Sequence, residues 1–502
     1  MSLISGLEAL TDWMLDAFSK RQVLFPIIGF FIFISLATLS FSPLPWFDEV
    51  FFADLSHSYL YKGGFYLKFS PIFNKTELLF YGPVYFWLQA GVAKLIGFQV
   101  FGFRLVNFVS GLIFLVLFRQ FLNGLGIPKL MTTMVAVLLL SDPIIQSNLH
   151  SGRMDFLSIM LCMAGLMVFL AYTKKSQLAL IPVSSVFFAL GFLATPRILF
   201  FLVPVFLYLF IRFRKDHLIG LLLLVVCSTI PVFLWIFSRF GNPLVYINAF
   251  LANNAVASHI GPVRNSFSFF RYPQYIFWYA LVIVSTILQF RFWILKKRFN
   301  LDAAFFLLVI IFFHFLVVEK GPYSAMVVPM YAGLALVTWL EIREMSIWKV
   351  FYQGIFFLNF FFFSGIFSLK MGIALANQSK TSEQKFLKLL PSDLLRGKKV
   401  VASFEYFYIL NSLDCRYYGF QLGPIDRRIQ FHFKEVDFDY LLLSKEEANC
   451  HQFIEYQRGG KLEKVCEINM PDGVGASFAQ FATSQLHVIR PDYSGVLYKH
   501  IR

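Results

Sequence analysis

Residues 23–54 read VLFPIIGFFIFISLATLSFSPLPWFDEVFFAD. The first part, Val23 to Phe41, is apolar and long enough to cross a hydrocarbon core of about 30 Å. It carries no small-residue cleavage site, so it is expected to stay in the membrane as the first helix rather than be removed as a signal peptide. The second part sets three carboxylates, Asp48, Glu49 and Asp54, among Leu44, Trp46, Phe47, Phe51 and Phe52, just where the chain leaves the bilayer. Acid at that depth requires a reason.

The rest of the 502 residues repeats the first pattern. The chain is 58% hydrophobic and 15% charged, with 65 phenylalanines, a balance too apolar for a soluble globular protein. The formal charge of +15 is spread over short Lys/Arg clusters between apolar runs rather than drawn into one stripe. That pattern marks cytoplasmic loops of a membrane protein and argues against a nucleic-acid partner.

Runs wide enough to span appear near residues 23–41, 101–122, 129–147, 154–172, 177–194, 198–213, 217–237, 273–291, 302–318, 323–340 and 350–369. A further run, Tyr81 to Phe98, opens with Gly-Pro and carries Gln89 and Lys94, so it reads as a helix lying at the membrane surface. Parity supports this. With that run unspanned, Lys20/Arg21, Arg119/Lys129, Lys174/Lys175, Arg212/Arg214/Lys215, Lys296/Lys297/Arg298 and Arg343/Lys349 all fall on one side, the cytoplasm.

The expected fold is therefore mainly α: a polytopic membrane protein of about 11 to 13 transmembrane helices with external interfacial helices. Residues 1–372 form the membrane domain, with 42–100 as its first external loop. Residues 373–502 open with a polar linker, NQSKTSEQK, and continue with the β-like runs KKVVASF, FDYLLLS and GVLYKHI. They read as a small extracytoplasmic α/β domain. Cys162 and Cys227 lie in apolar runs, and Cys415, Cys450 and Cys466 in the tail, where Cys450 and Cys466 leave room for one disulfide. No Cys/His spacing suggests a metal site.

On this topology the polar exceptions share the external face. Asp48 and Glu49 begin a segment, DEVFFADLSHSYLY, expected to be an interfacial helix with Phe51, Phe52, Leu55 and Tyr59 toward lipid. Asp48 has two readings there: a helix cap with Glu49 complementing the dipole, or a carboxylate at the lipid boundary that accepts a proton from an acceptor hydroxyl or amine. His150-Ser-Gly-Arg153-Met-Asp155 follows an expected kink at Asp142-Pro143. Thr195-Pro196-Arg197 and Glu319-Lys320-Gly-Pro-Tyr323 each put a cation at the same boundary. Arg153, Arg197 and Lys320 are either snorkelling anchors or a phosphate-holding set. His57, His150 and His259 read as ordinary polar loop residues.

The order of these features resembles the polytopic, polyprenyl-phosphate-sugar-dependent glycosyltransferases of C type, the superfamily of the protein O-mannosyltransferases and the lipid A aminoarabinose transferases. The matching residues are Trp46-Phe47-Asp48-Glu49, Tyr81-Gly82-Pro83-Val84-Tyr85-Phe86-Trp87-Leu88, Phe103-Arg104-Leu105, Ser141 and Pro143 through Arg153-Met154-Asp155, and Lys320 and Tyr323 with Pro329. The resemblance implies that Asp48, with Glu49 beside it, is the catalytic carboxylate, and that Arg153 and Asp155 shape the site. It further implies that Tyr81, Arg197, Lys320 and Tyr323 bind substrate. The donor would be a polyprenyl-phosphate-linked sugar, with no further cofactor and no metal required. The acceptor would be lipid A, another glycan, a glycolipid or a protein, and the membrane a bacterial inner membrane with the site facing outward. A lipid-sugar flippase or transporter is the alternative, although transporters place ionisable groups near mid-membrane. Here His314 is the exception within the runs.

Overall fold

The computed structural model describes residues 3–70, 81–257, 275–316, 324–420, 436–449, 461–470 and 492–501. In chain order the helices are α1 (Leu3–Ser19), α2 (Arg21–Thr38), α3 (Phe47–Lys62), α4 (Val84–Ile96), α5 (Val100–Gly124), α6 (Lys129–Ser141), α7 (Pro143–Leu149), α8 (Asp155–Lys175) and α9 (Leu180–Ala194). After a 3-10 turn at Pro196–Ile198 come α10 (Leu199–Phe213), α11 (Leu218–Phe240), α12 (Pro243–Ala257), α13 (Ile276–Lys296), α14 (Leu301–Leu316), α15 (Ser324–Ile342) and α16 (Ser346–Ala376).

Each apolar run corresponds to one of these helices, except 129–147, which corresponds to the pair α6 and α7. Among the described residues seven are long and apolar enough to cross a membrane: α2, α5, α8, α10 with its 3-10 lead-in, α11, α13 and α16. The pair α6 and α7 passes the same test as one span bent by 66°. The bend sits at Asp142-Pro143. Proline there cannot donate to the preceding turn, and the Asp142 carboxylate restarts the helix by accepting from the amides of Ile144 at 2.8 Å and Ile145 at 3.2 Å. The helices α9, α14 and α15 are apolar but shorter. The chain is an integral membrane protein.

The surface run is α4. Its 13 residues reach only about 20 Å at 1.5 Å per residue, short of the hydrocarbon core. Gln89 is fully buried, accepting from Ser56 at 2.7 Å and donating to the Tyr85 hydroxyl at 2.7 Å. Lys94 is exposed.

One helix was not expected. The segment before the first span forms α1, whose Phe18 packs edge-on against Phe360 at 5.0 Å. Lys349, at the start of α16, ties α1 down through Glu8 at 3.1 Å and Asp12 at 2.9 Å.

After α16 the chain forms α17 (Glu383–Leu389), α18 (Ser392–Leu395), β1 (Lys399–Ser403), a 3-10 turn (Phe404–Tyr406), α19 (Phe407–Ser412), β2 (Arg416–Phe420), β3 (Tyr440–Ser444), α20 (Lys445–Ala448), β4 (Leu462–Ile468) and β5 (Gly495–His500). The sheet order is β2-β1-β3-β5-β4, with β1 parallel to both β2 and β3, and β5 antiparallel to β3 and β4. The three β-like runs of the sequence are β1, β3 and β5. The segment read as a linker is partly helical, since Ser382 caps α17 by accepting from the Lys385 amide. Cys450 lies outside the described residues.

This layer sits directly on the segment between α2 and α5. Phe404 meets Phe47 at 5.0 Å and Phe69 at 5.5 Å, Phe98 meets Phe407 at 5.7 Å, and the Gly419 amide donates to the Phe69 carbonyl at 3.1 Å. The contact corrects the expected orientation of α3. Phe51, Phe52 and Leu55 are buried against protein, not lipid, and Tyr59 stacks on Phe65 at 5.0 Å. Apolar and polar residues of α3 are buried alike, Asp54, Ser56 and Ser58 beside Phe52 and Leu55, because α3 is enclosed between α4 and the C-terminal layer. The start of α8, the end of α9, α3, α4 and this layer share one apolar cluster, so they occupy the same side.

Candidate active site

Trp46 takes an extended backbone and α3 starts at Phe47, which puts Asp48 and Glu49 in the first turn, where the helix dipole favours negative charge. Successive residues on a helix diverge by about 100°. The two acids therefore face different partners.

Glu49 is fully buried and meets Arg104 of α5 in a bidentate pair, Nε to Oε1 at 2.7 Å and Nη2 to Oε2 at 2.9 Å. The Gly152 amide adds a third bond, to Oε1 at 3.1 Å. Arg104, also fully buried, donates its remaining bonds to the carbonyls of Leu39 at 2.9 Å and Pro43 at 2.7 Å. One guanidinium thus ties the end of α2, the segment leading into α3, and α5. Gly152 packs tightly against this pair: a Cβ there would stand 3.1 Å from Glu49 Oε1.

Asp48 turns the other way and accepts from Arg153 Nη1. Arg153 donates from Nε to Asp155 Oδ2 at 2.8 Å, so one cation joins the start of α3 to the start of α8. Arg153 and Asp155 are 1% and 2% exposed, whereas Asp48 is 15% exposed. Of the three, Asp48 is the most exposed. The Arg153 guanidinium lies 5.9 Å from the Trp46 ring and 5.5 Å from the Phe52 ring, an aromatic cradle that holds a cation with little water.

The cradle continues to the second cation. Phe52 meets Tyr81 edge-on at 5.4 Å, and Arg197 lies 5.6 Å from the Tyr81 ring. Gly82 permits this approach, because a Cβ at that position would fall 2.0 Å from the Leu193 carbonyl oxygen at the end of α9. Asp48, Arg153, Asp155, Tyr81 and Arg197 thus belong to one contiguous region. Lys320 and Tyr323, like His259, lie outside the described residues.

The histidines are more constrained than loop residues. His150, at the end of α7, is buried, with Nδ1 2.8 Å from the Gln146 carbonyl and Nε2 3.1 Å from the Ser35 carbonyl. His57 packs on Phe98 at 4.4 Å with Nδ1 2.8 Å from Lys68 Nζ, and burial, aided by Lys68 and Lys62, pulls it down to about 3. Asp54 accepts from the Phe69 amide at 3.0 Å. Burial pushes it up to about 7, against that bond and the charge of Lys68.

Arg104 and Tyr85 are site-building residues that sequence reading quoted without assigning. Tyr85 is fully buried, and burial together with the charges of Glu49 and Asp155 raises its hydroxyl well above the usual range, which keeps it a hydrogen-bonding phenol. Arg104 had a legible signal, since an arginine at the start of an apolar span needs a buried partner; that partner is Glu49, which the resemblance had placed with Asp48 as a catalytic acid. Among the described residues no group of three or more potential metal ligands comes together.

The family described as dolichyl-phosphate-mannose-protein mannosyltransferase matches residues 81–235. The chain is similar in structure to ArnT from Cupriavidus metallidurans in the apo state, with a TM-score of 0.57, 12% identity and coverage of 95% of this chain and 97% of that one. The same protein bound to undecaprenyl phosphate matches with a TM-score of 0.59 at equal identity and coverage. The archaeal oligosaccharyltransferase AglB from Archaeoglobus fulgidus, in complex with an inhibitory peptide and a dolichol-phosphate, gives a TM-score of 0.45 at 13% identity, over 85% of this chain and 70% of that one. No curated protein matches significantly in sequence. The resemblance carried by the ordered motifs thus extends to the fold of nearly the whole chain.

Proposed function

We propose that this chain, folded as ArnT is, transfers a single sugar from a polyprenyl-phosphate donor to a cell-envelope acceptor on the external face of a bacterial inner membrane. The observation that carries the reading is the held but reachable acid: Asp48 is fixed by Arg153, which Asp155 fixes in turn, while part of its carboxylate stays open to solvent. The match to a mannosyltransferase family over residues 81–235 and the undecaprenyl phosphate bound by ArnT support the donor class.

The mechanism follows from that arrangement. An acceptor hydroxyl or amine approaches C1 of the sugar while Asp48 takes its proton. The bond from the acceptor to C1 forms as the bond from C1 to the phosphate oxygen breaks, and polyprenyl phosphate leaves with the electron pair. A single displacement inverts the anomeric centre. Arg197, with Lys320, neutralises the departing phosphate, an effect that grows in a site poor in water. Arg153 orients the base, and Glu49, whose two oxygens are committed to Arg104 and Gly152, fixes the turn that carries it. Lipid A, a glycan, a glycolipid or a protein would each supply a suitable nucleophile.

The test is reconstitution of the purified chain in vesicles with a polyprenyl-phosphate sugar and envelope extract. Sugar appearing on an acceptor supports the reading. Donor crossing the bilayer without transfer would mark a flippase instead.

A further inference from the structure

The turn that carries Arg153 joins the end of α7 to the start of α8 over residues 150–154, with no helix or strand of its own. Such a segment has many backbone conformations open to it, yet Arg153 meets Asp48 and Asp155 at the same time. Contacts from outside the turn have to fix its width.

Asn107 of α5 reaches both edges. Its side chain is fully buried, Nδ2 donates to the Asn148 carbonyl at 2.6 Å, and Oδ1 accepts from the Phe156 amide at 3.2 Å. The Asn148 carbonyl is also where the turn folds back on α7, taking the Ser151 amide at 3.1 Å and the Ser151 hydroxyl at 2.8 Å. The Phe156 amide lies in the first turn of α8, where no carbonyl of the same helix can serve it. One rigid amide thus spans the gap between two helix ends.

The clamp belongs to a stripe. Arg104, Asn107 and Gly111 recur at the i, i+3, i+7 spacing that puts residues on one face of a helix. Arg104 holds Glu49 with the carbonyls of Leu39 and Pro43, and Asn107 holds the two edges of the turn. Gly111 leaves room for Leu149 and Phe156, whose side chains a Cβ there would meet. The middle of the turn rests on the same face indirectly, since the Gly152 amide donates to Glu49 Oε1 at 3.1 Å. The start of α3 and the turn before α8 are both registered on α5.

Resting on the function proposed above, we infer that Asn107 is a positioning residue of the transfer reaction: by clamping the turn at Asn148 and Phe156 it sets where Arg153 stands and, through Arg153, how Asp48 is aimed. Its bonds go to two backbone groups, so it acts through the turn and not on substrate. Without the clamp the ends of α7 and α8 separate or slide, and the Arg153 guanidinium no longer meets Asp48 and Asp155 together.

The experiment is a double-variant cycle in nanodiscs: wild type, Asn107→Ala, Asp48→Asn and the two together, followed by transfer from a polyprenyl-phosphate sugar and by thermal melting. Asn107→Ala is expected to lower kcat at least about tenfold, since a misplacement of about 1 Å suffices for that, with donor KM within about twofold. In the double variant kcat is expected to stay within about twofold of Asp48→Asn alone, because a misaimed acid and a missing one are the same loss. Melting follows the same rule. Asp48→Asn gives up the charge of its ion pair with Arg153 and costs stability in the wild-type background, and it costs much less where the turn is unclamped. Ser184→Ala, which removes a buried bond to the Gly165 carbonyl between α9 and α8, is the structural control: melting falls, kcat stays, and its loss adds to that of Asp48→Asn. If Asn107→Ala does not fold, Asn107→Ser, whose shorter hydroxyl cannot span both edges, takes its place. A wild-type kcat in the folded variant, or kcat losses that multiply in the double variant, overturns the inference. Absence of transfer in the wild type overturns the function reading instead, and the melting cycle then decides this one: additive losses overturn it.

Discussion

Asp48 and Glu49 are consecutive in the chain but are held by different arginines, Arg153 in the turn before α8 and Arg104 in α5. The helix start between them divides two tasks. Glu49, sealed with Arg104, anchors the turn, and Asp48 stays partly open; on the proposed function it is the group that acts. A pair of acids that reads as one motif is thus a sealed group beside a partly exposed one.

The anchor is tested by breaking it. Removing one member of a buried ion pair strands the other and costs about 3–5 kcal/mol. Arg104→Met and Glu49→Leu are each expected to lower the melting temperature sharply in detergent, while the double variant recovers much of the loss because no lone charge remains. Additive losses would show that the two residues do not act as a pair.

Gly82 predicts a steric limit. The atom nearest a new Cβ is the Leu193 carbonyl oxygen, part of the backbone of α9, which does not yield as a side chain tip would. Gly82→Ala is expected to lose at least about 1–3 kcal/mol of stability by melting. Gly91→Ala in α4, where nothing stands within 4 Å, serves as the control.

Asp54 gives a pH dependence outside the site. Burial raises it to about 7 from the ordinary 3.8, so the folded chain prefers the protonated form. That contribution is fully present below about pH 4, fades as pH rises toward 7 and is absent above it. Asp54→Asn keeps an acceptor for the Phe69 amide and removes the charge. Its melting temperature relative to wild type is expected to climb from pH 5 to pH 8, and a constant difference would count against the assignment.

Arg197 separates binding from chemistry. On the proposed reading Arg197→Gln raises donor KM about tenfold or more, a loss of about 1.4 kcal/mol of phosphate contact. Michaelis curves against donor concentration measure it. An unchanged KM would leave Arg197 as a support for Tyr81 alone.

Much of this fold was legible because a bilayer reduces sequence to length and polarity. Val23 to Phe41 had to be a helix whatever its partners, and Asp142-Pro143 had to bend the span that contains it. Arg153 and Asp155 were legible as a pair because only Met154 separates them. The Glu49–Arg104 pairing was not, since the two stand 55 positions apart and no local pattern records which buried arginine an acid will meet. The face of α3 was misread for a different reason: Phe51, Phe52 and Leu55 suit lipid and protein equally well, and only the C-terminal layer docking through Phe404 and Phe407 decides between them. Strands β2 and β4 escaped notice because RYYGF and LEKVCEI carry little apolar alternation.

The most direct measurement is the rate of sugar transfer by Asp48→Asn in nanodiscs, with saturating polyprenyl-phosphate sugar and acceptor. Asparagine keeps the shape and a bond to Arg153 but cannot take the acceptor proton, so kcat should fall about 10²- to 10⁴-fold while donor binding stays within about twofold. A wild-type rate in that variant would contradict the account.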